Sequence, residues 1–423
     1  MGGVYAPVAV IMVMLLVVVM GCYSAAACAL AVVLTEEGAL RRLILFPATW
    51  TLTEWVRAWF LTGFPWLNLG VSQVDGPLRG YAPLFGTFGV SFSVVLSAGL
   101  VLSVLAVSSR TGRLLAAATV VGIWMVGARL AMVNWTHPAG PAFKVSLVQG
   151  DVAQDDKWDP EYFGPTLKMY RDLTAENWRS RLVVWPEAAV PAYEDEVKED
   201  FLDPLETEAR KHGTDILMGI PTYSPLKDAY YNSVISLGSS DGVYNKRHLV
   251  PFGENFDFLP HWVRSLLRSM DLPYSSFSPG AAQQPLLKAA GYPVGVSVCY
   301  EDAYGDEITR DLPDAAYLVN VSNDSWFGSS IALPQHLEIS RMGALEAGRY
   351  LLRATNTGIT AIVDERGRIV RSAPVGERSV LSGHILPFSG ATPLSRWGNW
   401  PVVLFSWLIV LASVGFKLRR KGT

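Results

Sequence analysis

The chain has 423 residues, of which 50% are hydrophobic and only 17% are charged, and its mean hydropathy is positive at +0.25. This composition is too apolar for an ordinary soluble enzyme of the same size, so we expect part of the chain to lie in a membrane. The net charge of −3 argues against nucleic acid as a partner. Three cysteines and six scattered histidines, without ligand spacing, predict neither a disulfide framework nor a metal partner.

The apolar residues are concentrated in five segments near the two ends of the chain, at residues 1–35, 43–61, 81–109, 114–133 and 397–416. The first is free of charged residues and exceeds the ~20 residues that a spanning helix needs. The second contains Glu54 and Arg57, which share a helix face and would be tolerated near an interface if paired. We therefore predict a membrane domain with about four transmembrane helices over residues 1–136, a polar domain over 137–395, and a C-terminal transmembrane helix with a basic tail over 396–423.

Basic residues lie at alternate ends of successive apolar segments, as Arg41 with Arg42, Arg110 with Arg113, and the tail KLRRK at residues 417–421. The positive-inside rule then places all these clusters in the cytoplasm. The N-terminus and the polar domain are predicted to lie outside it. Residues 62–80, rich in Gly, Pro and Trp, are typical of an interfacial loop.

The polar domain alternates strand-like and helix-like patterns. Strands are predicted at residues 143–149, 181–185, 214–219, 231–238, 293–298, 316–322, 358–363 and 379–385. Helices are predicted at residues 196–211 and 335–353, and the apolar residues of the second include Leu337, Met342, Leu345 and Leu351. This alternation indicates a layered α/β or α+β sandwich, while the order of strands in its sheets stays open.

The stretch YPVGVSVCYED, residues 292–302, carries a cysteine at the end of a predicted buried strand. Val294, Val296 and Val298 alternate with small residues, and the strand ends at Cys299. A thiol at a strand-to-helix turn lies near the positive end of the next helix, so we expect the thiolate to be favoured and Cys299 to act as a nucleophile. The alternative is that Cys299 is a small core residue, as most free cysteines are.

Two other polar residues follow predicted strands of this domain, where open sheets place their sites. Glu187 lies in VVWPEAAVP and Lys246 lies in YNKRHLVPFGE. A carboxylate that takes a thiol proton, a thiolate that attacks a carbonyl, and an ammonium that stabilises the oxyanion form a complete acyl-transfer set. Taken singly, Glu187 and Lys246 are each compatible with an ordinary surface charge.

Together, the three motifs resemble the nitrilase superfamily, whose sites use Glu, Lys and Cys from successive strand ends. More stretches extend the resemblance to the apolipoprotein N-acyltransferase family, from about Glu54 to Trp400. They are TGFPWLNLG, LVQGDVAQDDKW, NVSNDSWFG, LLRATNTGITAIV and GNWP. Because the motifs occur in order and membrane segments flank them, their combination is far more specific than any one motif.

The resemblance implies a nitrilase-like four-layer α-β-β-α domain inserted between transmembrane helices, on the outer (periplasmic) face of the bacterial inner membrane. The implied reaction moves a fatty acyl chain from a membrane phospholipid, through a thioester on Cys299, to the N-terminal amine of a diacylglyceryl-cysteine lipoprotein. No cofactor or metal is implied. Glu187 would be the base and Lys246 the oxyanion stabiliser. The resemblance also implies that four other residues, which match positions in the family's motifs, support the pocket and its substrates: Trp158, Glu254, Tyr300 and Glu301.

The chain departs from this family in its number of spans, because about seven usually precede the catalytic domain and about four are predicted here. We therefore expect about three spans to be missing before Met1, which leaves open whether Met1 is the true start. Two other functions stay open from the sequence. One is a membrane-anchored amidase or nitrilase that acts on a small amide, and the other is an inactive nitrilase-like binding module. The motifs that flank the triad argue against the first, and the complete triad argues against the second.

Overall fold

The computed structural model describes residues 6–251, 253–254 and 277–421. Residues 1–5 of the first apolar segment, Phe252 of the Lys246 motif and His261 lie outside the described residues. The chain divides into two compact units. We call the unit of residues Thr136–Ala391 the central unit, and the unit of Val4–Trp135 with Thr392–Thr423 the flanking unit.

Helices make up the regular structure of the flanking unit, and strands alternate with helices in the central unit. In chain order, the elements are α1 (Ala6–Leu34), α2 (Phe46–Arg57), α3 (Ala82–Ala106), α4 (Arg110–Leu130), β1 (Thr136–Pro138), β2 (Phe143–Gln149), α5 (Pro160–Ala175), β3 (Leu182–Val184), α6 (Glu194–Val197), α7 (Asp203–His212), β4 (Asp215–Ser224), β5 (Ala229–Leu237), β6 (Gly242–Asn245), β7 (Leu287–Ala289), β8 (Tyr292–Val298), α8 (Gly305–Arg310), β9 (Tyr317–Ser322), α9 (Ala332–Ala347), β10 (Leu351–Thr355), β11 (Ala361–Val363), β12 (Ile369–Ser372), β13 (Ser379–Ile385), β14 (Phe388–Gly390), α10 (Pro393–Trp397) and α11 (Trp400–Lys421).

Four helical segments in the described part of the flanking unit are long and apolar enough to cross a membrane. They are Pro7–Leu34, Pro77–Ala106, Arg110–Leu130 and Trp400–Arg419. The predicted apolar segment at residues 43–61 differs, because it forms a π-helical turn at Arg41–Leu45 and then α2, which has only 12 residues. Positive φ angles at Leu61, Thr62 and Gly63 end helical structure there.

The polar residues of α2 hold the loop that follows it. Glu54 is 4% exposed, and its Oε1 accepts hydrogen bonds from the indole nitrogen of Trp50 at 3.0 Å and from the backbone N–H of Leu69 at 2.8 Å. Arg57 donates to the side-chain oxygen of Asn68 at 2.6 Å. Both charged residues of the predicted segment therefore stabilise the TGFPWLNLG loop.

The central unit contains two six-stranded sheets and a two-stranded pair of β1 and β14. The strand orders are β13-β2-β3-β4-β5-β6 and β12-β11-β10-β9-β8-β7. Strands β2, β3 and β4 are parallel in the first sheet, as are β8, β9 and β10 in the second. Every strand predicted from the sequence is confirmed, whereas the short strands β1, β6, β7, β10, β12 and β14 were not predicted.

The alternation of side chains along the strands builds four layers. Val294, Val296 and Val298 of β8 lie in one core cluster with Leu147 of β2 and Leu217 of β4, so the two sheets face each other. The other face of the first sheet packs on residues of α5 and α7, and the other face of the second packs on residues of α8 and α9. The predicted α-β-β-α sandwich is thus confirmed.

The predicted helix over residues 335–353 is wrong at its C-terminal end. Helix α9 ends at Ala347, and Gly348 adopts a left-handed φ of 61°, with its N–H directed to the carbonyls of Ala344 and Leu345. Glycine takes this conformation without the steric cost of a Cβ, and the chain then turns into β10. Leu351, which fits the helical periodicity, is therefore a buried strand residue.

Candidate active site

Three strand ends meet at one edge of the central unit. Glu187 follows β3, Lys246 directly follows β6 and Cys299 directly follows β8. Lys246 Nζ lies 3.6 Å from Glu187 Oε1, and the charges of both side chains act on the Cys299 thiol. The structure thus brings together the three residues that the sequence analysis selected as a triad.

Lys246 is an enclosed cation. Its side chain is 1% exposed, and its Nζ lies 2.8 Å from Glu254 Oε2. Its backbone N–H donates to Asn232 at 2.8 Å, and its carbonyl accepts from the N–H of Gly280 at 2.7 Å. Burial disfavours the charge, but Glu254 and Glu187 outweigh it and raise the pKa of Lys246, so the side chain is an ammonium at neutral pH. In turn, although burial opposes ionisation, Lys246 lowers the pKa of Glu254.

Two asparagines that were not predicted from the sequence orient Glu187. Asn232 Nδ2 donates to Glu187 Oε1 at 2.8 Å and to Glu254 Oε1 at 2.9 Å. The backbone N–H of Asn323 donates to Glu187 Oε2 at 2.9 Å. Asn232 lies inside the predicted strand YNSVISLG, where period-two alternation gives no signal for a site residue. Asn323 lies in the motif NVSNDSWFG, which is one of the stretches that carry the family resemblance.

A second buried lysine, Lys157, also lies at this edge and was missed. It is 5% exposed, and its Nζ donates to the backbone carbonyl of Glu187 at 3.0 Å. Burial lowers its pKa to about 8, although the charges of Glu187 and Cys299 act in the opposite direction. Its neighbour Trp158, which the family resemblance selected, is 53% exposed. The motif LVQGDVAQDDKW, which contains both residues, therefore pointed to the site, but the sequence alone did not identify Lys157 as part of it.

Cys299 has a constrained backbone and a half-buried side chain. Its φ angle is 53°, in the left-handed region that non-glycine residues rarely adopt, and the amide of Asn320 donates to its carbonyl oxygen at 3.1 Å. Such strain is typical of functional turns. The expected preference for the thiolate is wrong, because burial and the carboxylates of Glu187 and Asp324 raise the pKa of the thiol well above its usual value. Lys246 opposes this increase.

The next two residues pack beneath the turn. Tyr300 is 7% exposed, and its ring packs edge-to-face on Tyr304 with the centroids 5.2 Å apart. Glu301 is fully buried. Its carboxylate accepts four hydrogen bonds, from the backbone N–H groups of Arg247 at 2.6 Å, His248 at 3.0 Å and Val298 at 2.7 Å, and from the hydroxyl of Tyr244 at 2.9 Å. Burial nevertheless raises the pKa of Glu301 to about 7.

Glu301 consequently ties the segment after Lys246 to the turn that bears Cys299. The carboxylate of Glu301 does not contact solvent, because none of the surface of this residue is exposed. Within residues 6–251, 253–254 and 277–421, no group of three or more His, Cys, Asp or Glu side chains is arranged to hold a metal ion. The described residues at this edge supply a thiol, a carboxylate and an ammonium.

Comparison with known proteins gives two family matches. The carbon-nitrogen hydrolase family model matches residues 144–388, and the model of the apolipoprotein N-acyltransferase N-terminal domain matches residues 1–100. Among solved structures, the chain is similar to the C. elegans NitFhit protein, with 16% identity over 59% of this chain and 61% of that one and a TM-score of 0.48.

Curated bacterial relatives are similar over most of the chain. The apolipoprotein N-acyltransferase of Methylococcus capsulatus is 50% identical over 86% of this chain and 72% of its own length. The protein of the same name from Coxiella burnetii is 41% identical over 87% of this chain and 76% of its own length. The one from Nitrosomonas europaea is 42% identical over 88% of this chain and 75% of its own length.

Proposed function

The chain belongs to the apolipoprotein N-acyltransferase family, and on this basis we propose that it transfers a fatty acyl chain from a membrane phospholipid to the N-terminal amine of a diacylglyceryl-cysteine lipoprotein, through a thioester on Cys299. The observation that carries the assignment of roles is the meeting of Cys299, Glu187 and Lys246 at one edge of the two sheets. Glu187 is the base, Lys246 stabilises the oxyanion and Cys299 is the nucleophile.

In the first half-reaction, Cys299 attacks the carbonyl carbon of a phospholipid ester. The raised pKa of the thiol means that it is protonated at neutral pH, so a base must remove its proton as the C–S bond forms. Glu187 is suited to this task because Asn232 and the Asn323 backbone fix its two oxygens. The ester C–O bond then breaks, and the proton passes from Glu187 to the departing oxygen to give a lysophospholipid.

Lys246 stabilises the negative charge that develops on the carbonyl oxygen in each half-reaction. An ammonium has three N–H donors, and Glu254 at 2.8 Å with Glu187 at 3.6 Å occupy at most two of them. We propose that the remaining N–H donates to the oxyanion. Because the side chain is already buried and anchored, little reorganisation is needed during the reaction.

In the second half-reaction, the lipoprotein amine attacks the thioester carbonyl. Glu187 accepts a proton from the amine as the C–N bond forms, the C–S bond breaks, and the proton returns to the sulfur of Cys299. The sum of the two steps is one amide and one lysophospholipid, with the enzyme unchanged. An acyl donor in a bilayer accounts for the apolar helices on both sides of the central unit.

The localisation that we propose is the bacterial inner membrane, with the central unit on its periplasmic face. The basic clusters at Arg41 with Arg42, at Arg110 with Arg113 and at the C-terminal tail support this orientation, since each falls on the cytoplasmic side when all five apolar segments cross the membrane, including the one that contains α2. Trp158, which is 53% exposed beside buried Lys157, is proposed to contact substrate. Glu254, Tyr300 and Glu301 are proposed to support the site from within.

Intact-protein mass spectrometry tests the mechanism. After incubation with phospholipid, the protein is expected to gain one fatty acyl group that neutral hydroxylamine removes. Cys299→Ala should prevent this gain, whereas Cys22→Ala and Cys28→Ala, which alter the two other free cysteines, should not. A diacylglyceryl peptide should remove the acyl group from the enzyme, and the same peptide with a blocked N-terminus should not.

The same experiment separates acyl transfer from amide hydrolysis. If Cys299 stays unmodified and the protein releases ammonia from small amides, the acyltransferase mechanism is wrong and the amidase alternative is correct. If neither reaction occurs in a folded preparation, the central unit is an inactive binding module.

A further inference from the structure

Directly behind the Cys299 turn lies a buried cluster of charged side chains that the proposed chemistry does not use. His336 Nε2 lies 2.9 Å from Asp302 Oδ1, and His336 Nδ1 lies 3.0 Å from Asp324 Oδ1. Arg353 Nη1 lies 3.0 Å from Asp302 Oδ2, and Arg353 Nη2 lies 2.7 Å from Asp324 Oδ2. Each of these four side chains is at most 1% exposed.

The charges of this cluster balance only if the imidazole is protonated. Two carboxylates and one guanidinium leave one uncompensated negative charge in the interior, which is costly. Arg353 Nη2 also lies 2.9 Å from His336 Nδ1, so a neutral imidazole could accept a hydrogen bond there. Burial and Arg353 lower the pKa of His336, but Asp302 and Asp324 outweigh them and raise it to about 9.

The cluster is connected to the nucleophile through one amide. Arg353 Nη1 donates to Asn320 Oδ1 at 2.7 Å, and Asn320 Nδ2 donates to the carbonyl of Cys299 at 3.1 Å. Asp302 belongs to the same 3-10 turn as Cys299, at Cys299–Ala303. These contacts fix both sides of a residue whose φ angle of 53° needs support from its surroundings.

The cluster is also connected to the turn that holds Glu187. Asp324 has a left-handed φ of 58°, and Ser322 Oγ donates to its Oδ1 at 2.6 Å. Asn323, between these two residues, donates its backbone N–H to Glu187 Oε2 at 2.9 Å. One buried cluster therefore stabilises two strained turns, one that bears the nucleophile and one that orients the base.

We propose that His336 is a positioning residue: as an imidazolium between Asp302 and Asp324, it holds the Cys299 turn and the Asn323 turn at the spacing that the reaction requires. This inference rests on the proposed roles of Cys299 and Glu187. A displacement of about 1 Å at such a site can reduce a rate about 100-fold, so a residue that contacts neither substrate can have a large effect.

Two matched variants separate charge from packing. His336→Gln leaves the cluster with one uncompensated negative charge, and the double variant His336→Gln/Asp302→Asn restores neutrality. In a background with Cys22→Ala and Cys28→Ala, the rate of Cys299 alkylation by iodoacetamide should fall at least about 10-fold in the single variant and recover most of that loss in the double variant. His384→Gln, at an exposed position of β13, is the control and should leave the rate unchanged.

Nitrogen NMR of the wild-type protein at pH 7.5 provides an independent readout, with both ring nitrogens of His336 expected to carry protons. One protonated nitrogen, or a double variant that reacts no faster than the single one, would overturn the proposal. If neither variant folds, the wild-type spectrum still decides the charge. Alkylation needs no acyl donor, so a failure of phospholipid to acylate Cys299 would contradict the proposed function and leave this result unaffected.

Discussion

Lys246 and Glu254 form a buried ion pair with a separation of 2.8 Å, which is shorter than the 3.6 Å between Lys246 and Glu187. Glu254 also accepts a hydrogen bond from the backbone N–H of Val250 at 2.8 Å. Of the two carboxylates that raise the pKa of Lys246, Glu254 has a larger effect than Glu187. Lys246 is therefore held mainly by a residue outside the proposed triad, which leaves Glu187 available for its proposed role as the base.

Glu254→Gln is expected to disable the site. The amide nitrogen would oppose the N–H donors of Lys246 or Asn232, so the rate of acyl-enzyme formation should fall about 100-fold or more. Removing one partner of a buried pair should also cost about 3 kcal/mol of unfolding free energy. Glu208→Gln, which removes an exposed pair with Lys211 at 3.5 Å, should change stability by less than about 1 kcal/mol. An unchanged acylation rate in Glu254→Gln would contradict this role.

Opposite changes in thiol reactivity are expected from Glu187→Gln and Lys246→Met. The carboxylate of Glu187 raises the pKa of Cys299 and the ammonium of Lys246 lowers it. The apparent pKa of Cys299, measured from the pH dependence of iodoacetamide alkylation, should therefore fall in Glu187→Gln and rise in Lys246→Met. Both variants should still lose acyl transfer, because one lacks the proposed base and the other lacks the proposed oxyanion partner. Shifts in the same direction would show that these charges do not act on the thiol as described.

Glu301 predicts an acid limit to activity. Its four hydrogen-bond donors require an ionised acceptor, and burial places its pKa at about 7. The rate should therefore decrease as the pH falls through about 7, and Glu301→Gln should be slow at every pH, since an amide N–H would oppose one of the donors.

The stability contributed by Glu301 should change in the opposite direction. Its folded-state pKa lies above the unfolded value of about 4.3, so this contribution is fully present below that pH and is lost as the pH rises through about 7. The unfolding free energy of the wild type relative to Glu301→Gln should fall over this interval, as measured by denaturant titration. A relative stability that increases with pH would contradict the assignment.

Local patterns in the sequence predicted a layered sandwich and the three candidate site residues, and the family resemblance supplied the four-layer arrangement. Period-two alternation in β2, β8 and β9 identifies buried strands, and Glu187, Lys246 and Cys299 are polar residues at strand ends. The residues that support the triad carry no such pattern. Asn232 and His336 come from the middle of a strand and of a helix, and they reach the site only because distant segments pack together.

The protonation state of Cys299 could not be predicted for a related physical reason. The sequence shows the turn that follows the strand, and a helix N-terminus alone would favour the thiolate. The pKa of the thiol is instead raised by burial and by two carboxylates, those of Glu187 after β3 and Asp324 after β9. Burial, followed by charges that come from other strands, determines the direction of this change, and both are known only after the fold is known.

The orientation in the membrane depends on whether the segment that contains α2 crosses the bilayer. The basic cluster at Arg41 with Arg42 and the one at Arg110 with Arg113 share the cytoplasmic side only if two crossings separate them. One crossing is the span Pro77–Ala106, so the other must be the segment that contains α2, although α2 has 12 residues, fewer than the ~20 of a full span. A reporter that is active only outside the cytoplasm should be active when fused after Gly76 or Trp135 and inactive after Gly38 or Lys421. Equal signals from Gly38 and Gly76 would show that the α2 segment does not cross, and activity after Lys421 with silence after Trp135 would reverse the orientation of the central unit.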